Sequence, residues 1–246
     1  MPIDEPERGL STATTLNVHY RVGRIASYLS GRWLDYGCAD GGYCAAILKE
    51  GASSIVGIDV EEERIAIAKT RDIPNARFEV FDGLEISIDD ESFDGIFMNE
   101  VFEHVVDEQK TLQEVFRLLR TGGHLVLISP NRWFPIDGHS IRIGKQRFSP
   151  TPIVPWLPER WTRARMGARN YWPHQLVRQV CAAGFAIQET GFIWPVLEHY
   201  RWLPPRLLRA YQRRITTLDQ VPGVRRFGLS TLVVGVKPIA RRLRDM

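Results

Sequence analysis

Several carboxylates in this chain close apolar runs, at a spacing that suits a cationic ligand bearing a ribose. Residues 33–42 read Trp-Leu-Asp-Tyr-Gly-Cys-Ala-Asp-Gly-Gly, an apolar lead-in to Asp35 followed by a glycine turn. Gly37 and Gly41, with Cys38 between them, permit φ angles that a Cβ disfavours and let a ligand approach the backbone. Ile55-Val-Gly-Ile-Asp59 is a second apolar run ending in an acid, 22 positions beyond Gly37. An acid so placed accepts hydrogen bonds from ribose hydroxyls. A dinucleotide would set its pyrophosphate over the following helix start. Asp35 and Asp40 would repel that group and favour a ligand with positive charge and no phosphate.

Two histidines could handle protons. Pro135-Ile-Asp137-Gly138-His139 puts an imidazole two residues from a carboxylate. His139 can take a proton from a hydroxyl while Asp137 orients the ring or binds the acceptor. The other reading is a loop histidine bonded to backbone. His104, in Glu100-Val-Phe-Glu103-His104, is the second candidate base, with a structural role as its alternative. Asp82-Gly83 closes a third apolar run, Ala76–Phe81. Asp82 can accept a hydrogen bond from an adenine amine, or the pair can be an ordinary Asp-Gly turn.

The elements that must position these groups alternate. Strands are expected at 32–37, 54–59 and 76–81, with helices at 41–50 and 61–70 between them. Strands alternating with helices imply a parallel sheet with right-handed crossovers. An apolar stripe from Leu16 to Leu29 predicts a further helix on the cofactor side, and residues 1–12 read as loosely ordered. Leu112 to Leu119 predicts another helix, ended by Gly122-Gly123 in left-handed geometry. A helix near 173–183 leads to strands at 185–194 and 229–236.

With these elements in place, the D-x-G-x-x-x-G turn and Asp59 resemble motif I and its acidic partner in class I SAM-dependent methyltransferases. Ser92-Phe-Asp-Gly-Ile-Phe-Met-Asn-Glu100 and the following E-x-x-E-H-V-x-D segment resemble the family's fourth strand, and Thr121-Gly-Gly its L-K-P-G-G turn. The resemblance covers about residues 30–131. It implies an α/β fold, a Rossmann-like seven-stranded and mostly parallel sheet with helices on both faces and the last strand antiparallel. S-adenosylmethionine is the implied cofactor, bound by Asp35, Gly37, Cys38, Gly41, Asp59, Asp82, Gly83 and Asn99, with Asn99 and Glu100 beside its methionine part.

The chain is expected to be one domain with three parts. A SAM-binding core at about 30–131 precedes an acceptor lid at about 132–171 and a C-terminal helical insertion at about 197–222. The lid carries five prolines and the aromatics Trp133, Phe134, Phe148, Trp156 and Trp161, which suit stacking on sugar rings or aglycones or a small satellite core. Ser129-Pro-Asn131 through His139 resembles the same region in methyltransferases of sugars and other small hydroxylated acceptors. The expected reaction is therefore O-methylation of a saccharide, oligosaccharide or glycolipid. A quinone or phenol is the alternative acceptor, and a non-catalytic SAM-binding regulator or scaffold the alternative of another class.

Composition narrows the partners. The 246 residues are 44% hydrophobic and carry a formal charge of +3, too little to demand nucleic acid. Arg supplies 27 of the 32 basic residues, several of them in the amphipathic stretch from Trp202 to Leu218. Such a helix can lie on an anionic membrane, pack on the domain or join a second subunit. No run reaches the roughly 20 apolar residues of a membrane span. The N-terminus lacks a signal-peptide pattern, and a cytosolic protein is expected. Cys38, Cys44 and Cys181 match no metal cluster, and no metal site is read from the sequence.

Overall fold

The computed structural model describes residues 15–83, 86–137, 139, 141–143, 146–148, 151–162, 168–197 and 204–239. Seven strands form one sheet: β1 (Arg32–Tyr36), β2 (Ser54–Asp59), β3 (Ala76–Val80), β4 (Phe93–Asn99), β5 (Leu119–Pro130), β6 (Ala186–Ile193) and β7 (Ser230–Val236). Their spatial order is β6-β7-β5-β4-β1-β2-β3. β7 runs antiparallel to both β5 and β6, while the pairs among β1 to β5 are parallel. This is the expected doubly wound sheet. The chain order reverses between β1 and β4, so the crevice beyond their carboxyl ends is where such sheets bind ligands.

Strand alternation builds a core on each face. Trp33, Ile55, Phe97, Val126, Ile128, Leu232 and Val234 point to one side. There they meet Val18, Val22, Ile47, Ile65 and Ala68 from the helices α1 (Thr15–Gly23), α2 (Gly42–Lys49) and α3 (Glu62–Thr70). Leu34, Val56, Ile96, Met98, Leu125, Leu127 and Val233 point to the other side. Leu112, Val115, Leu118, Leu176 and Val180 cover them from α4 (Glu108–Leu118) and α5 (Pro173–Ala182).

Three local expectations are corrected. The first helix stops at Gly23, and a 3-10 turn at Ala26–Tyr28 continues the apolar stripe. α4 ends at Leu118 because Leu119 is already extended, so Gly122-Gly123 does not cap it. The glycine pair instead forms an irregularity within β5, held by Gly122 N–H to the Lys237 carbonyl at 2.8 Å and Lys237 N–H to the Gly123 carbonyl at 3.0 Å. In α6 (Pro205–Leu218), Ile215 is buried but Leu207 points outward, 63% exposed. Trp202, Leu203, His199, residues 1–12 and the Arg241–Arg244 tail lie outside the described residues.

The segment after β5 is built from two nested hairpin pairs. Ile136–Asp137 pairs with Thr151–Pro152, and inside it Ile141–Ile143 pairs with Gln146–Phe148. Its base is held to the turn before β7 and to the segment's own second half. Asn131 Nδ2 donates to the Arg226 and Gly228 carbonyls, both at 2.7 Å, and Arg132 donates from Nε to the Pro155 carbonyl at 2.7 Å. Trp133 packs edge-on against Trp172 and Phe227, so part of the lid's aromatic set is a satellite core, while Trp156 and Trp161 are exposed.

Candidate functional site

The glycine turn between β1 and α2 runs through left-handed backbone. Gly37 has φ +79° and Gly41 +77°, and Ala39 between them is also left-handed at +48°. Asp59, at the end of β2, fixes the turn by accepting from the Ala39 N–H at 2.8 Å and the Glu61 N–H at 3.0 Å. Each of its two oxygens keeps further acceptor capacity. Asp82 is exposed beside Gly83, which has φ +82°, at the end of β3.

The other residues expected in the turn are placed differently. Cys38 turns inward, with 4% exposure. Its N–H donates to the Ile58 carbonyl at 2.9 Å and its carbonyl accepts from Gly41 at 2.9 Å, so it shapes the turn. Asp40 turns outward and pairs with Arg71, so it is not aimed at a bound cation. Asp35 lies beneath the turn, 3% exposed, and accepts from Cys44 Sγ at 3.2 Å. Burial pushes its pKa up to about 7, the thiol hydrogen bond partly opposes this, and the Asp59 charge adds to it. Asp35 is thus a titrating group near neutral pH, where the sequence implied a fixed charge.

At the end of β4 stands a network the sequence reading missed. Arg21 of α1 is 1% exposed. Its Nη1 donates to Asn99 Oδ1 at 2.5 Å and to Glu100 Oε1 at 2.8 Å, and its Nε donates to Asn17 Oδ1 at 3.2 Å. Glu100 adopts φ +55°, a left-handed conformation that costs a non-glycine residue about 1–3 kcal/mol and recurs at functional sites. Ser230 Oγ also donates to Glu100 Oε1, at 2.5 Å. Burial opposes ionisation of Glu100, but Arg21, the hydroxyl and nearby His139 hold it below the usual carboxylate range. The legible signal for Arg21 was Asn17 four residues earlier, a polar pair set beside an apolar helix stripe.

Three residues farther on, Glu103 is 1% exposed. Its Oε2 accepts from Ser129 Oγ, at the end of β5, at 3.0 Å, while Oε1 receives no hydrogen bond from any donor among the described residues. Burial and the adjacent Glu100 charge push its pKa well up. His104 and His139 meet edge to face with ring centroids 5.3 Å apart. Ligating atoms of Glu103, His104 and His139 all lie within 4.8 Å of one another. The structure therefore brings together the two histidines expected as bases and adds a buried carboxyl. The Asp137 side chain lies outside the described part, and its backbone pairs with Thr151.

The segment carrying this cluster is braced from the lid's far end. Arg169 Nη1 donates to the Val105 carbonyl at 2.7 Å, and Tyr171 bonds Glu108 and bridges to Asn131. The carboxyl ends of β1, β2 and β4 thus carry a glycine turn, a carboxylate that fixes it, a buried cation and a Glu–His–His cluster.

Comparison with known proteins supplies the class. Residues 30–165 match a family described as a methyltransferase domain. A probable S-adenosylmethionine-dependent methyltransferase of Mycolicibacterium smegmatis is 32% identical over 110 residues, which are 44% of this chain and 42% of that one. The ubiquinone biosynthesis O-methyltransferase of Agrobacterium fabrum is 28% identical over 175 residues, 70% of this chain and 66% of that one. The crystal structure of a methyltransferase from Mesorhizobium loti superposes with a TM-score of 0.61, covering 88% of this chain and 95% of that one at 19% identity. The chain belongs to the SAM-dependent methyltransferase family, whose cofactor is S-adenosylmethionine. It spans about half the length of the curated relatives it matches, from 42% to 66% in these two.

Proposed function

We propose that this protein transfers the methyl group of S-adenosylmethionine to a hydroxyl of a small molecule. The observation that carries the reading is the His104–His139–Glu103 cluster just past β4, beside the crevice where the cofactor's methionine part would lie. Ribose binds at Asp59 and adenine beside Asp82-Gly83, while Asn99, and Asp35 from beneath the turn, are assigned to the methionine end. Gly37 and Gly41 admit the cofactor to the backbone, and Cys38 packs behind it. Transfer is an in-line displacement: oxygen attacks the methyl carbon, and the carbon–sulfur electron pair stays on sulfur. Alignment of this kind contributes up to about 7–11 kcal/mol in model reactions. The acceptor's proton goes to His139, with His104 as the second base and Asp137 orienting.

A phenolic or quinol hydroxyl is the acceptor class that fits best, because it is acidic enough for an imidazole and the Agrobacterium relative is named for ubiquinone biosynthesis. The exposed Trp156 and Trp161 favour the second class, a saccharide hydroxyl. Arg206, Arg209, Arg213 and Arg214 on the outer face of α6 suit an anionic lipid surface, as an amphiphilic acceptor would require. No helix among the described residues is long and apolar enough to cross a membrane.

The test uses methyl-labelled SAM with separated lipid, phenolic, carbohydrate, RNA and protein fractions. Label in the lipid or phenolic fraction, lost in His139→Ala while SAM binding persists, is the expected result. Label in carbohydrate alone moves the acceptor to a saccharide. SAM binding with no labelled product in any fraction would reject the catalytic reading in favour of a SAM-binding regulator.

A further inference from the structure

From the same cluster we infer a divalent metal site that places the acceptor oxygen, with Glu103, His104 and His139 as its ligands. The three side chains come from two segments that the sheet brings together, residues 103–104 past β4 and residue 139 in the nested hairpins past β5. Their ligating atoms lie within 4.8 Å of one another. In a tetrahedral site with bonds of about 2.1 Å, neighbouring ligand atoms sit roughly 3.4 Å apart. Closing that gap requires rotations of His104, which is exposed, and His139, which is half-buried.

Glu103 supplies the second, independent observation. Buried carboxylate oxygens are normally satisfied, yet Oε1 receives no hydrogen bond among the described residues, while Ser129 holds Oε2 and so fixes the plane of the group. A carboxylate aimed by one oxygen and unsatisfied at the other is arranged as a hydrogen-bonded metal ligand. Two imidazoles and one carboxylate suit zinc, cobalt or iron(II) better than magnesium or calcium, which prefer oxygen. With three protein ligands, coordination positions remain for a hydroxyl.

The ion would acidify a bound hydroxyl. The acceptor's proton then leaves to water, its oxygen attacks the methyl carbon, and neutral thioether departs. This rests on the acceptor placement proposed above and changes one step: polarisation by the ion replaces proton transfer to His139.

The experiment uses the untagged full chain, stripped with a chelator and titrated with Co2+. Visible ligand-field absorption saturating at one ion per chain, displaced by Zn2+, is expected. Glu103→Gln, His104→Ala and His139→Ala should each weaken binding about 10-fold or more, whereas His19→Ala leaves it unchanged. Absence of the absorption, or its persistence in the His104→Ala/His139→Ala double variant, overturns the site. Labelled-acceptor assays separate the two proposals. Transfer that survives chelation but is lost in His139→Ala rejects the ion's role and keeps the imidazole base. Specific Co2+ binding with no acceptor labelled keeps the site and rejects the transferase reading.

Discussion

Arg21 and Glu100 are 79 positions apart in the chain and form an ion pair of 2.8 Å at the carboxyl end of β4. The pair ties α1 to the end of β4. Arg21→Met leaves Glu100 without its cation in a water-poor setting, and breaking a buried pair in this way costs about 3–5 kcal/mol. Arg21→Met/Glu100→Gln should recover most of that loss. Urea unfolding of the wild type, the single and the double variant checks this. Equal destabilisation of both variants would show that the loss is packing, not charge.

Asp35 gives a pH dependence with a defined sign. Its folded pKa of about 7 exceeds the ordinary 3.8, so the folded state binds the proton more tightly. The associated stability is full below about pH 4 and is lost as pH rises to about 7, roughly 4 kcal/mol for a shift of this size. Asp35→Asn should remove this slope when unfolding is followed across that window. Because bound SAM is cationic there, its affinity should rise toward pH 7 and level above it, with proton release in calorimetry. An affinity independent of pH would place Asp35 away from the cofactor.

Gly37→Ala tests the cradle. At φ +79° any side chain is strained, and a Cβ would overlap the Val101 isopropyl group, well inside the 3.0 Å that real Cβ contacts respect. Left-handed strain alone costs about 1–3 kcal/mol. SAM affinity should fall at least 10-fold by calorimetry, and Gly37→Ala/Val101→Ala should restore stability more than binding.

Asn131→Ala removes the donor from two carbonyls, those of Arg226 and Gly228, with a cost of about 1–3 kcal/mol for stranded buried groups. Since Asn131 anchors the hairpin segment and lies away from the glycine turn, acceptor KM should rise while SAM affinity holds. A parallel loss of SAM affinity would show that the lid base also supports the cofactor site.

The fold was legible because its causes are local. Strands such as Ile55–Asp59 and helices such as Leu112–Leu118 announce their buried faces by spacing, and a glycine turn after Asp35 admits few conformations. Local signals failed where a long-range contact won. Gly122-Gly123 looks like a helix stop in sequence, but Lys237, just past β7, captures the pair into β5. Leu207 fits the apolar stripe of α6 by spacing, yet the helix buries its Ile215 side.

For the candidate site, sequence alone determined the acids at strand ends, the glycines between them and the histidines worth watching. Each sits at a fixed distance from its own element, and backbone geometry carries that distance into space. Tertiary structure decided what those groups face. It turned Asp40 out to Arg71 and Cys38 into the core, and buried Asp35 until its carboxylate titrates near neutrality. It also brought Arg21 to Glu100 and His104 to His139 and Glu103. Such encounters depend on which strand ends lie side by side, and strand order is a property of the folded sheet that no short stretch of residues encodes.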